Sequence, residues 1–441
     1  MIDTLDELLK VVLSTLGIFF VLIFLYRKYV LSILDPLFFF LVIQAFSIQL
    51  SFIVLKETQY IVNIILCEFA LFWGFVLIAP KNKQIVLGLN TNRLEIPKMQ
   101  TEFLTIFCNI AMIVIVIANV YLISQKGIAL FSDDPSESKV TSFSSGGGLG
   151  IVRRINWGLL YFVGLVYMYL FLQNGKKIHL FAILLLIILS SFGGSKGALL
   201  FFIQSFSFIS LIANFKKNEN FKVLKKVTFL LIPVAAILVF YILFAVWRDV
   251  SSTFIAIGTR FLLFGDAMGY YYDKFSIKHF APYSIFDFIY NELNGIFGFF
   301  RLAPYKIPLG YELEMFQANT STVPVFGPNV PFYVKGHIYF GYVGAIVYSF
   351  LLGMVIGKIR LLMSKLDFGK YGIVGGLSII FVNLSLFGVT QDSALFISVL
   401  FDTFIFSLPL LILSYFVIFP KMYNLIGNNT HYDSAENTLL I

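Results

Sequence analysis

The chain alternates long apolar runs with short charged connections. A run of about 17–25 apolar residues is the length a helix needs to cross the hydrocarbon core of a bilayer. Eleven such runs recur, near 9–26, 36–55, 60–79, 103–123, 156–172, 178–193, 198–214, 227–247, 337–357, 371–389 and 394–419. The sixth and seventh are short and separated only by GGSKG, so one broken element is the alternative to two spans there. The pattern predicts an all-α polytopic membrane protein, a single integral domain over residues 1–441, with eleven transmembrane helices, or twelve if one is missed. Two long connections, 124–155 and 248–336, interrupt the alternation, the second with room for interfacial helices, and a polar tail follows at 420–441.

Lysine and arginine orient the pattern, because short basic loops stay on the cytoplasmic side. Every second connection is basic: Arg27 and Lys28; Lys81, Lys83, Arg93 and Lys98; Lys176 and Lys177; Lys216 through Lys226; Lys358 through Lys370. The two long loops therefore belong to the outer face, with the N-terminus outside and the C-terminus inside. Composition agrees: 59% hydrophobic residues exceed the roughly 45–50% of soluble domains, and only 13% are charged. The net charge of +8 is a topology signal spread over separate loops, which excludes a folded nucleic-acid-binding face. The first run opens on the acidic MIDTLDELLK with no small-residue cleavage site, so it reads as a retained span rather than a signal peptide. Cys67 and Cys108 both fall in apolar runs, where neither a disulfide framework nor a four-ligand zinc site can be built from them.

The inner connections are too short to fold a nucleotide-binding domain, and none carries a Walker or dinucleotide glycine fingerprint. ATP-driven transport and transfer from a cytoplasmic nucleotide sugar are therefore disfavoured, and candidate chemistry moves outside. In YILFAVWRDV an apolar helix runs straight into Arg248. A membrane-depth arginine needs a partner or water, so Arg248 either pairs locally with Asp249 or clamps phosphate oxygens through its bidentate fork. Arg260, twelve residues on, can join the same anion site if the intervening segment is a helix lying along the surface, and Arg153 and Arg154 before the fifth run are further candidates. Lys196, flanked by glycines in SSFGGSKGALLF, offers a docking point for an anion, or else closes a plain turn. The long loop interleaves carboxylates with tyrosines, and Asp266, Tyr270 and Tyr339 are its candidate sugar contacts. In GPNVPFYVKGHIYFGYVG, Pro328 and Pro331 fix an extended approach and deliver His337 to the outer interface. His337 is either a general base for an acceptor hydroxyl or a hydrogen-bonding partner of a neighbouring helix. Gly353 and Gly357 form a GxxxG that points to helix packing.

GGSKGALL, WRDVSSTFIAIGTRFLLFGDAMGYYY and GPNVPFYVKGHIYFGYVGAIVYSFLLGMVIG together resemble the bacterial oligosaccharide repeat-unit polymerases, the O-antigen or capsule polymerase family called Wzy. The resemblance implies a GT-C-like integral membrane glycosyltransferase of the inner membrane with its site facing the periplasm. It implies metal-independent transfer without a cofactor, moving a growing glycan from undecaprenyl diphosphate to another lipid-linked unit. A chain-length regulator and a flippase of the same pathway are the implied partners. Lys196 and Arg248 fall on basic positions of the resembling patches, with Arg260 a third phosphate contact and His337 and Arg248 the catalytic pair. Many family members have twelve spans with both ends inside, where this chain reads as eleven. An O-antigen ligase is the nearest rival; a lipid-linked oligosaccharide flippase is the rival of another class, disfavoured because mid-span charges are few, Glu68 being the clearest.

Overall fold

A computed structural model describes residues 4–33, 35–81, 98–132, 149–192, 196–209, 219–304, 306–324, 327–366, 368–385 and 388–436. Among them every regular element is helical. Among the described residues eight helices are long and apolar enough to cross a membrane: α1 (Leu5–Tyr26), α2 (Pro36–Val54), α3 (Thr58–Ile78), α4 (Lys98–Lys126), α5 (Leu149–Asn174), α8 (Glu219–Trp247), α14 (Phe332–Ser364) and α17 (Ser393–Glu436). The chain is thus an all-helical polytopic membrane protein. The remaining three expected runs fall on shorter helices, α6 (Lys177–Phe192), α7 (Lys196–Ile209) and α15 (Phe368–Leu384). Their described straight parts, 16, 14 and, past a break at Gly372, 13 residues, are about 20–24 Å long at 1.5 Å per residue. Residues 210–214 of the expected seventh run lie outside the described residues, and a short helix, α16 (Gly388–Gln391), follows α15.

The helix directions follow the alternation of basic connections. Asn119 pairs with Asn156 and Tyr167 with Asn109, so α4 and α5 are antiparallel. Ser14 with Gln49 and Phe19 with Phe38 set α1 antiparallel to α2. By contrast α3 and α14 run parallel, both toward the basic end, and glycine makes their approach possible. A side chain at Gly74 would run into the Phe350 carbonyl, one at Gly353 into that of Leu71, and one at Gly357 into that of Phe75. The GxxxG is therefore a packing seam. We expect Gly353→Leu to force α3 away and lower the thermal midpoint of the detergent-solubilised protein, an overpacking cost of about 1–3 kcal/mol or more.

Buried apolar residues form two separate cores. One joins α1, α2, α3 and α14 to the segment 262–313; the other joins α4 to α8, α15 and α17. At the basic end Arg360 sits fully buried on Asp35, with two nitrogen-to-oxygen contacts of 2.8–2.9 Å and a third bond to the Tyr29 carbonyl at 3.1 Å. Asp35 is doubly employed, because the same carboxylate caps the N-terminus of α2 through the Leu37 N–H.

At the opposite end, residues 248–336 fold into six helical pieces rather than a loose loop. They comprise α9 (Val250–Leu262), a 3₁₀ turn at Leu263–Gly265, α10 (Ala267–Tyr271), α11 (Lys274–Phe280), α12 (Ile285–Phe300) and α13 (Leu309–Gln317). Some of this segment reaches down among the spans. Gly265 lies beside Ser47, whose hydroxyl bonds Tyr333 at 2.5 Å, and Ser47 is seven residues, about 10 Å, below the end of α2.

The expected span at 337–357 needs a correction. Its helix breaks at Gly341, where φ is +70° and ψ −172°. Gly336 lies so close to Ala345 that a Cβ added to it would stand 3.0 Å from the Ala345 Cα. The chain therefore folds back on itself. A short helix, Phe332 to Phe340, precedes the membrane-crossing part, and glycine at 341 permits a backbone that an L side chain resists.

Candidate functional site

The short helix before Gly341 is part of the first core and presents different chemistry on two of its sides. On one side, His337 Nδ1 lies 2.8 Å from the Tyr271 hydroxyl. The rings of Tyr60, Tyr271, Tyr272 and Tyr342 surround the imidazole at centroid distances of 5.4–6.3 Å. Tyr60 and Tyr272 also stack on each other at 4.8 Å. Burial pushes the Tyr271 and Tyr272 hydroxyls above the usual phenol range, so both stay protonated and available as donors. The Tyr272 hydroxyl is buried and has no hydrogen-bond partner.

On the other side, Lys335 Nζ donates to Glu292 Oε1 at 2.7 Å and to Ser393 Oγ at 2.8 Å, all buried. One turn on, Tyr339 packs on Tyr283 and Phe288, and its hydroxyl is likewise buried without a partner. Tyr283 donates to Glu312 at 3.1 Å, while Lys306 lies over the Tyr283 ring and 3.6 Å from Asp287. The two carboxylates are driven apart. Burial pushes Glu312 up, whereas the Ser284 backbone N–H and hydroxyl hold Asp287 down. Buried polar groups nearly always have partners, so two orphan tyrosine hydroxyls on either side of one nine-residue helix mark this mouth as the polar centre of that end.

The other expected residues divide by core. Asp266 and Tyr270 belong with His337. Asp266 Oδ1 accepts from the Asn329 N–H at 2.6 Å, tying α10 to the approach to His337, and the Tyr270 carbonyl accepts from Ser276 and Gln317. Burial raises the Asp266 carboxyl to about 7 against the opposing pull of the Asn329 N–H and Arg260. A carboxyl whose folded pKa is raised favours folding below its unfolded value, near 4, and that contribution is lost as pH rises toward 7. We expect the thermal midpoint of the wild type to fall over this window and Asp266→Asn to flatten the profile.

Arg248 and Arg260 are both exposed, the first just past the end of α8 and the second in the last turn of α9. The expected alternative partner of Arg248 is engaged elsewhere: Asp249 caps α9, accepting from the Ser252 N–H at 2.7 Å. Arg248 closes α8 in the left-handed region, φ +53°, which an arginine rarely adopts. Arg154 and Arg153 lie on α5, in the second core. Arg154 pairs with Asp402 at 2.7 Å, donates to the Gly295 carbonyl at 2.9 Å and rests over Phe299, while Arg153 lies over Trp157 at 4.2 Å. Arg154 therefore fastens α5 to α12 and α17, an engagement that leaves little of its guanidinium for a ligand. Lys196 opens α7, also on the side of the second core; Gly193 through Ser195 lie outside the described residues. The structure does not gather these cations around His337.

Sequence reasoning missed Tyr60, Glu292, Glu312 and the Arg154–Asp402 pair. Asp402 interrupts an apolar run as visibly as Glu68 does, and that was the available signal. Tyr60 and Glu292 carried none, because only the fold brings residues 60, 271, 272, 292 and 393 to one short helix. Among the described residues no three His, Cys, Asp or Glu side chains cluster as metal ligands. No family model, curated protein or solved structure matches this chain.

Proposed function

We propose that the chain is a glycosyltransferase that polymerises oligosaccharide repeat units carried on a lipid diphosphate, as the likeness to the Wzy family implies. The observation that supports it most is the His337–Tyr271 pair at the mouth opposite the basic connections, flanked by the two unpartnered tyrosine hydroxyls. In this reading His337 removes the proton from an acceptor hydroxyl. That role needs the imidazole proton on Nδ1, donated to the Tyr271 oxygen, so that the Nε2 lone pair is the base. Tyr272 and Tyr339 supply hydrogen bonds to sugar hydroxyls, and Asp266 and Tyr270 hold the wall behind them. Arg248 and Arg260 stabilise the departing diphosphate electrostatically, with Lys196 and Arg153 as outlying contacts. Helices α6, α7 and α15 complete eleven spans of a GT-C-like bundle in the bacterial inner membrane, its site facing the periplasm.

A second reading has support of its own. The half-buried pair Arg154–Asp402 and the buried pair Lys335–Glu292 set charges beside membrane-crossing helices, as transporters do, which suits a lipid-linked oligosaccharide flippase. Deleting the gene in its own host and resolving surface polysaccharide on a gel separates the readings. Single repeat units on the lipid core support polymerisation, and complementation by wild type but not by Arg248→Ala supports the diphosphate role. If no unit reaches the core, polymerisation is wrong. Lipid-linked units accumulating at the outer face then mean a ligase, and at the inner face a flippase.

A further inference from the structure

Helix α12 has its polarity inverted. Its polar residues face inward, with Asn291, Glu292 and Asn294 only 5–7% exposed, while Ile285, Phe286, Ile289 and Phe300 stand 44–79% exposed. Leu302, just past its end, is 70% exposed. The helix is not free to roll over. Glu292 is held by Lys335, and Asn294 bonds both the backbone N–H of Lys306, at 3.0 Å, and its carbonyl, at 2.6 Å. Ile289 and Phe300 lie three turns apart on one face, with the half-exposed Leu293 and Ile296 between them, so this face is apolar along its length. A water-facing helix of a soluble domain carries its stripe on the buried side instead.

The neighbour of α12 explains the inversion. It runs in step with α17, a membrane-crossing helix and parallel to it: Lys335 links Glu292 to Ser393, Gly295 lies beside Ser398, and Phe299 packs on Phe401 and Phe406. Further along α17, Phe404, Leu408 and Ile412 are themselves exposed, as expected of a span surface in contact with lipid. The charged start of α12, where Asp287 caps the helix and meets Lys306, is followed by the wholly apolar IFGFF at its far end, and at Arg301 the chain turns back through a left-handed φ of +56°.

We propose that the stripe of Ile285, Phe286, Ile289, Phe300 and Leu302 is seated in the acyl chains of the bilayer leaflet at this end, so that α12 is a descending, half-embedded helix whose partner is lipid hydrocarbon. Its charged start stays at headgroup level and its phenylalanine end lies deeper. The polar side, turned to Lys335 and Tyr339, thereby shields the mouth from the lipid. This assignment does not depend on what the mouth binds or catalyses.

The test uses nitroxide labels on the full chain in phosphatidylethanolamine–phosphatidylglycerol vesicles. Cysteine is introduced singly at Phe286, Ile289 or Phe300, and at exposed Thr322 as the water-side control, after replacing Cys67 and Cys108 with alanine. Collisions with oxygen should exceed those with a water-soluble nickel chelate at Phe286→Cys, Ile289→Cys and Phe300→Cys, the excess growing from 286 to 300, with the opposite order at Thr322→Cys. Chelate collisions dominating at 286 and 289 would place the stripe in water and overturn the proposal. So would labels shielded from both reagents, which would mean that a protein surface covers it. Should one variant fail to fold, Phe286→Trp with brominated acyl chains reads the same face, and absence of quenching there counts against the proposal equally.

Discussion

On the proposed polymerase reading, His337→Ala should abolish polymer while leaving the protein in the membrane at wild-type abundance. A positioned general base contributes about 10²–10⁴-fold to rate, so long-chain product should drop at least 100-fold and single-unit material should accumulate. The side chain bonds the Tyr271 hydroxyl, and its neighbours are otherwise ring faces. Its removal should therefore cost little stability compared with a backbone-clamping residue. Tyr271→Phe is the companion. It keeps the ring packing but removes the oxygen that orients the imidazole, so activity should fall by less than in His337→Ala while the melting midpoint stays close to wild type. If His337→Ala makes normal polymer, the general-base role is wrong whatever the fate of the polymerase reading.

The second large effect lies at the other end of the molecule. Arg360→Met should leave Asp35 buried and unpaired, and removing one partner of such a pair costs about 3–5 kcal/mol. Arg360 and Asp35 are 1% and 0% exposed, so there is no solvent to screen the loss. The double variant Asp35→Asn, Arg360→Met should recover a good part of that loss, since no bare charge remains. Recovery should be incomplete, because the original carboxylate also accepts from the Leu31 and Leu37 backbone N–H groups. Thermal unfolding of wild type, Arg360→Met, Asp35→Asn and the double variant in one detergent measures the coupling; a double-variant loss equal to the sum of the two single losses would show that the pair itself contributes nothing.

Much of this architecture was legible in the sequence for a simple reason. Lipid requires every crossing segment to satisfy its own backbone hydrogen bonds, so apolar length alone finds helices, and alternating basic loops give directions that the antiparallel α4–α5 and parallel α3–α14 contacts repeat. The GxxxG at Gly353 and Gly357 read correctly as packing for the same local reason. What the sequence hid is the mouth. Apolar length cannot distinguish a span from a short helix that folds back at Gly341, because Ile338 to Phe340 run on without a polar break into the apolar residues after it. It also grouped Arg153, Arg154, Arg248, Arg260 and Lys196 by charge, whereas the fold assigns them to different helices and gives Arg154 a carboxylate of its own. The lasting clue was His337, whose neighbours Tyr271 and Tyr272 were visible as aromatic residues but whose pairing depends on contacts across 66 positions of chain.

The His337 helix is tied sideways by a few polar bonds, Lys335 to Glu292 and Ser393, and α2 is tied to the turn before α17 by Gln44 with Thr390 at 3.2 Å. Local opening of these bonds leaves both apolar cores intact, so it costs less than unravelling either. Amide hydrogens of the His337 helix should accordingly exchange with solvent deuterium earlier than those within α3 or α5, and its surroundings are the first that such breathing changes.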